Sequence, residues 1–362
     1  MSTGGGRKAI FAAATANLGI AAAKFLGFLV TGASSMLAEA IHSVVDTTNQ
    51  MLLLLGQKRA RKAADVDHPF GYGRNRYFYA FLVALVLFTA GGLFSIYEGV
   101  HKLNLIEEGE GEVVSPGVAI AILLFAVVLE SWSLRTALRE SKPGRAGVTL
   151  WRYIRRAREP ELPVVILEDT AALTGLMIAL VAIVASAVTG DPTYDAYGTI
   201  AIGVLLVSVA VILVFETQSL LVGEGATRED TAHIVAAIEG GPDDSVDRVI
   251  HLKTLYLGPD ELLVAAKVSV RHADSASDVT AAINSAEERL RTVVPVARVV
   301  YLEPDVFDVT RAQAGDAGPG THSERTPYRG LREELLQEAE ARDEPREEAR
   351  DDTTDRDASE PT

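Results

Sequence analysis

Apolar runs long enough to cross a bilayer dominate this chain, and two of them carry short polar clusters. The first cluster is Glu39-Ala-Ile-His42-Ser-Val-Val-Asp46, followed by Asn49; the second is Glu168-Asp169, inside Leu162 to Val188. Six runs approach the ~20 residues that a helix needs to cover ~30 Å of hydrocarbon: Ala9–Val30, Ser35–Gly56, Tyr77–Val100, Pro116–Leu134, Pro163–Val188 and Tyr197–Phe215. Such segments read as helices, because a helix satisfies its own backbone polar groups where no water can. The 48% hydrophobic content agrees with a membrane protein.

Basic residues set the orientation. They precede the first run (Arg7, Lys8) and crowd between the second and third (Lys58, Arg59, Arg61, Lys62, Arg74, Arg76) and between the fourth and fifth (Arg139 to Arg158). The opposite loops are neutral or acidic, so both termini are expected on the cytoplasmic side of a multi-pass plasma-membrane protein. Net charge is −15, roughly half of it from the tail after Val309. An acidic balance of this kind argues against nucleic acid as a partner. The absence of cysteine removes disulfides, thiolate metal sites and cysteine nucleophiles together.

After Gly223 the pattern changes. Arg228–Glu239 reads as a helix, Val246–Leu257 and Leu262–Arg271 as strands around Gly258-Pro259-Asp260-Glu261, Ser275–Val293 as a helix behind the cap candidates Asp274 and Ser275, and Arg298–Leu302 as a strand. The expected division is a six-helix membrane domain over 1–222, a cytosolic α-β-β-α-β domain over 223–309, and an acidic disordered tail over 310–362 in which Tyr328–Ala341 forms a transient helix.

The first polar cluster is spaced for one helical face: Glu39, His42, Asp46 and Asn49 are three, four and three residues apart. Imidazole and carboxylate at that spacing can share a cation, and zinc accepts both. Ionisable groups at membrane depth are costly and are retained for function. Asp169 can meet His42 and Asp46 if the second and fifth runs pack together. Glu168 points about 100° away from Asp169, and reads equally as a fourth ligand, a neighbouring base or an ion-pair partner for Lys24. Asn17 and Lys24 are polar within the first run. Glu98, Glu130 and Glu216 lie near the ends of theirs and are expected to reach headgroup water.

Three segments together resemble the cation diffusion facilitator family. Ser34-Ser-Met-Leu-Ala-Glu-Ala-Ile-His-Ser-Val-Val-Asp46 is similar to the family's second transmembrane helix, with its [H/D]-x-x-x-D. His68-Pro-Phe-Gly-Tyr-Gly-Arg74 is similar to the H-x-F-G-H-G-K segment that follows, and Leu167 to Gly175 to the fifth helix. The resemblance covers about residues 8–305. It implies a dimeric six-helix transporter with a cytosolic ferredoxin-like α+β domain, exporting a divalent metal, usually Zn²⁺, against protons. The metal is then substrate and no cofactor is expected. The fifth helix departs from the family's H-x-x-x-D: Val165 stands where the His would, before Asp169. This feature, with Trp151 to Pro160, resembles the branch containing the mammalian zinc transporter nine group.

The implied transport site is His42, Asp46 and Asp169, with Glu168 as candidate fourth ligand and Glu39, Asn49 and Asn17 around it. Oxygen-rich sites admit Mn²⁺, Fe²⁺ or Co²⁺ beside Zn²⁺. Tyr72 replaces a family His, leaving Asp65, Asp67 and His68 as a weaker loop site, or as a solvated loop in which His68 caps backbone. His251 in Val249-Ile-His251 reads as a surface residue. The expected function is therefore proton-coupled export of a divalent cation by a homodimer in the lipid membrane. The alternative is a non-transporting metal sensor or scaffold with the same fold. With no HExxH-type motif, the chain is not read as an enzyme.

Overall fold

The computed structural model describes residues 18–109, 116–145, 147–240, 245–271 and 275–307. Asn17, the first half of the Ala9–Val30 run, Asp274 and the tail from 308 onward, with Tyr328–Ala341, lie outside the described residues. The chain divides into two compact units, one running to Glu224 and taking in Tyr256–Asp260, the other formed by the remainder.

The first unit is helical: α1 (Leu18–Thr31), α2 (Ser34–Ala60), α3 (Asn75–Glu107), α4 (Pro116–Glu140), the single turn α5 (Lys142–Arg145), α6 (Leu150–Arg156), α7 (Glu161–Thr189) and α8 (Thr193–Val222). By length and apolarity α3, α4, α7 and α8 can each cross a membrane. Within the described residues α1 is a shorter apolar helix. Although α2 has 27 residues, its polar stripe and its basic end at Lys58 and Arg59 keep it out of the apolar class. Large side chains such as Leu29, Phe125, Val181, Val188 and Phe215 are exposed on this unit. A helical body with an apolar exterior is what hydrocarbon solvates.

Local chemistry sets the helix ends. Gly190 closes α7 at φ 72°, donating to the Ser186 carbonyl at 2.9 Å; glycine alone holds this left-handed cap without a Cβ penalty. Asp191 then accepts from the Thr193 amide and hydroxyl to start α8. Asp195, in the first turn of α8, is fully buried and accepts from the Ser34 amide at 2.8 Å and from the hydroxyls of Ser34 and Ser35. It thus satisfies an orphan donor at the start of α2 from another helix. The α3–α8 contact is close enough to need glycine. A Cβ on Gly203 would meet the Ile96 backbone nitrogen at 2.7 Å, and one on Gly99 the Ala196 carbonyl oxygen at 2.9 Å. Inside α3, Leu87–Leu93 winds as a seven-residue π segment.

The second unit contains α9 (Arg228–Glu239), β1 (Val246–Gly258) as far as Leu255, β2 (Glu261–Val270), α10 (Ala276–Val293) and β3 (Val299–Pro304), with sheet order β1-β2-β3. A two-residue turn joins β1 to β2. β3 returns parallel to β2 after α10, in the register Leu263 with Val299 through Val268 with Pro304, as a helical crossover allows. Leu262, Val264, Ala266 and Val268 alternate into the core, and Ala282, Ala286 and Leu290 face inward from α10. Ser275 and Asp278 form a reciprocal capping box. Arg289 donates to the Ala237 and Ile238 carbonyls at the end of α9, each at 3.0 Å.

Candidate metal centre

The polar stripe of α2 is buried along its whole length: Glu39 and Asn49 are 0% exposed, His42 1% and Asp46 9%. Two contacts fix α2 against α7. Near one end, Glu39 lies so close to α7 that a Cβ on Gly175 would meet its Oε1 at 2.7 Å. Toward the other, Asn49 Nδ2 donates to Glu168 Oε1 at 2.6 Å. Rising from 39 to 49 along α2 corresponds to falling from 175 to 168 along α7, so the helices run antiparallel. His42 and Asp46 lie between the two ties.

His42 Nε2 is 3.6 Å from Asp46 Oδ2. Neither His42 ring nitrogen nor Asp46 Oδ1 has a hydrogen-bond partner among the described residues, and Glu39 Oε1 and Asn49 Oδ1 are equally bare. An unsatisfied buried polar atom costs about 1–3 kcal/mol. Five on three turns of one helix form a surface that fits a polar guest, whether water, proton or cation.

The other carboxylates are held from different elements. Asp169 accepts from Ser133 of α4 at 2.9 Å. Lys24 of α1, fully buried, donates to Glu39 Oε2 at 3.0 Å and to the Ser43 hydroxyl at 2.9 Å. The option of Glu168 as partner of Lys24 is thereby corrected: Glu39 holds the ammonium and Asn49 holds Glu168. Glu130 is corrected as well. It does not reach headgroup water but is buried at 8% exposure, one helical turn before Ser133. The interior thus buries Glu39, Asp46, Glu130 and Glu168 with Lys24 and His42. Among the described residues no three His, Asp or Glu side chains converge closely enough to hold a metal ion. The arrangement is open: two ligand candidates face each other, and two are held by neighbours.

The loop candidates form a separate group. Asp65 accepts from Lys62 Nζ at 2.8 Å, the Tyr72 hydroxyl at 2.7 Å and the His68 amide at 2.9 Å. The Lys62 and Tyr72 hydrogen bonds hold its carboxyl well below the usual range. His68 Nδ1 is 3.4 Å from Asp65 Oδ1, and its ring lies against that of Tyr72. Asp67 is exposed. Tyr72 closes the loop through Asp65.

Residues 10–222 match the family model for the cation efflux transmembrane domain, well over half of the chain. The chain belongs to the cation efflux family. Members of this family are transporters, not enzymes. Similar proteins include the proton-coupled zinc antiporter SLC30A9, mitochondrial, of Homo sapiens, 33% identical over 68% of this chain and 42% of the relative. Metal tolerance protein C4 of Arabidopsis thaliana is 30% identical over 72% of this chain and 56% of that protein. The magnetosome protein MamM of Paramagnetospirillum magneticum is 26% identical over 28% of this chain and 34% of that protein. The matched region thus spans only about half the length of the first two relatives or less.

The expectation of a plasma membrane is overturned. The vertebrate relatives carry "mitochondrial" in their names, not a plasma-membrane location. Basic loops report which side a loop occupies, not which membrane holds it. A multi-pass membrane protein stands.

Proposed function

We propose that this cation efflux protein is a secondary transporter of a divalent cation, Zn²⁺ foremost, moved in exchange for protons. The carrying observation is the buried His42–Asp46 pair, with its bare nitrogens and oxygen, set between the Asn49–Glu168 and Glu39–Gly175 ties. In this reading His42, Asp46 and Asp169 hold the metal, and Glu168 or Glu130 supplies a further oxygen. Carboxylates and imidazole bind a metal only when deprotonated, so metal entry expels protons and protonation expels metal, as antiport requires. Alternating access around a midplane site supplies the motion. The names of the vertebrate relatives, proton-coupled zinc antiporters, support zinc and protons. An oxygen-rich set leaves Mn²⁺, Fe²⁺ and Co²⁺ as further substrates.

The same reading takes α1 and α2 as spans beside the four apolar helices, giving six. It takes residues 223–309 as a ferredoxin-like cytosolic domain through which two protomers pair, and Asp65, Asp67 and His68 as at most a weak loop site. One observation favours a second reading, a sensor or scaffold that does not transport: Glu168 and Asp169 are engaged by Asn49 and Ser133. Vesicles containing the purified protein, loaded with Zn²⁺, Mn²⁺, Fe²⁺ or Co²⁺ under an imposed pH gradient, decide between them. Gradient-dependent flux is expected with Zn²⁺. Metal binding without flux would select the sensor, and neither would overturn both.

A further inference from the structure

Beside the Ser133–Asp169 contact, the end of α4 carries an apolar groove of about 380 Å³ lined by Leu134, Leu138 and Leu173 together with Ser131, Arg135, Arg139 and Lys142. Its floor is leucine from α4 and α7; its rim is three cations. Arg135 and Arg139 are four residues apart on one helical face, and Lys142 opens the next turn, α5, beside the same groove. All three are exposed. None has a carboxylate partner among the described residues, whereas the basic residues of the neighbouring segments, Arg155 and Arg76, are paired with Glu216 and Glu161.

Depth along α4 fixes what surrounds this groove. Trp132, 71% exposed, lies just before it, and exposed tryptophan settles at the boundary between hydrocarbon and headgroups. Val128 and Phe125, one and two turns earlier, are exposed apolar side chains of the kind that face hydrocarbon. Arg135, Leu138, Arg139 and Lys142 follow Trp132 on the same stretch of chain, so the cations and the leucines of the groove share the boundary zone where a lipid's headgroup meets its acyl chains. A soluble anion would find the cations but have no use for the leucines. A neutral lipid would find the leucines but leave three charges without a partner.

We propose that this groove is a binding site for an anionic glycerophospholipid, with an acyl chain along Leu134, Leu138 and Leu173 and the phosphate held by Arg135, Arg139 and Lys142. Arginine pairs with phosphate through two parallel N–H···O bonds, and lysine adds a point charge. Basic clefts between transmembrane helices recognise anionic headgroups by this chemistry, at about a fivefold gain for each cation near the surface. None of its lining residues is a proposed metal ligand, so the site stands whichever cation is carried. Because α4 also holds Glu130 and Ser133, a lipid seated here bears on the helix that reaches Asp169.

The test uses the full chain reconstituted in phosphatidylcholine nanodiscs, with phosphatidylglycerol as the probe. Wild type is expected to retain phosphatidylglycerol through purification and to melt at higher temperature when it is present. The triple variant R135Q/R139Q/K142Q should bind it roughly a hundredfold more weakly, with helix content unchanged by circular dichroism. Leu138→Trp keeps every charge and fills the groove, and should lose retention too. Equal retention by wild type and the triple variant would overturn the proposal. So would full competition by soluble glycerol phosphate, which would make the groove irrelevant, or undiminished retention by Leu138→Trp. If the triple variant fails to fold, Leu138→Trp and the glycerol phosphate competition still decide.

Discussion

At the scale of single residues, the centre separates groups that hold structure from groups left waiting for a guest. Asp46 belongs to the second class, so Asp46→Asn should abolish Zn²⁺ flux while the melting temperature holds or rises, because a buried charge is removed; wild-type flux would remove Asp46 from the site. Glu168 is more constrained. Glu168→Gln keeps an acceptor for Asn49, so the α2–α7 tie survives and any loss of metal affinity reports ligation alone. At least tenfold weaker Zn²⁺ binding by calorimetry is expected if Glu168 coordinates, and unchanged affinity would assign it to the tie. Glu130→Gln should weaken Zn²⁺ binding severalfold where Glu130 supplies the further oxygen, and unchanged affinity by calorimetry would remove it from the site. The stripe itself was legible because helical spacing is local: His42, Asp46 and Asn49 share a face whatever surrounds them. The partners of Lys24 and Glu130 were not, because they depend on which helix crosses which and at what depth. Glu130 looks interfacial on paper because its apolar run ends at Leu134, four residues on, whereas the helix continues to Glu140 and the fold buries it.

At the scale of elements, the tight α3–α8 seam and the Asp65 loop each carry a consequence. Gly203→Leu pushes against the Ile96 backbone rather than a movable side-chain tip. It should therefore cost on the order of 1–3 kcal/mol, read as a lowered melting temperature, and an unchanged value would mean that the helices part freely. In the loop, the lowered Asp65 pKa has a definite sign. Its contribution is present above the ordinary carboxylate range and is lost only as pH falls through the depressed value. Amide exchange across residues 62–72 should stay slow on mild acidification and quicken in strong acid, while Asp65→Asn should show fast exchange at every pH. The loop's resemblance to a metal segment was readable from His68-Pro-Phe-Gly, but its closure by Tyr72 was not, because a hydroxyl reaching seven residues back leaves no periodic trace. Likewise α2 reads as a span by length and fails by apolarity, for the same reason that it is interesting: its polar stripe.

At the scale of the whole molecule, the two units answer to different tests. The sheet unit caps its own helices and closes its own core, with Ser275, Asp278 and Arg289 as internal fasteners. Zn²⁺ added to a chain ending at Glu224 and to the full chain should therefore give equal shifts in melting temperature, reporting the membrane unit alone. A larger shift for the full chain would reveal a metal site in the second unit. The Asp195 clamp has a mechanical reading. It pins α2 at Ser34 and Ser35, so a tilt of α2 pivots there and displacement grows with distance from the pivot. At 1.5 Å per residue, His42 lies about 12 Å along the shaft and Ala60 about 40 Å. A swing of about ten degrees would carry His42 through roughly 2 Å but Ala60 through roughly 7 Å. A lever so hinged would displace its load far less than its far end, which is packed against Tyr79 of α3 at Gly56 and Arg59.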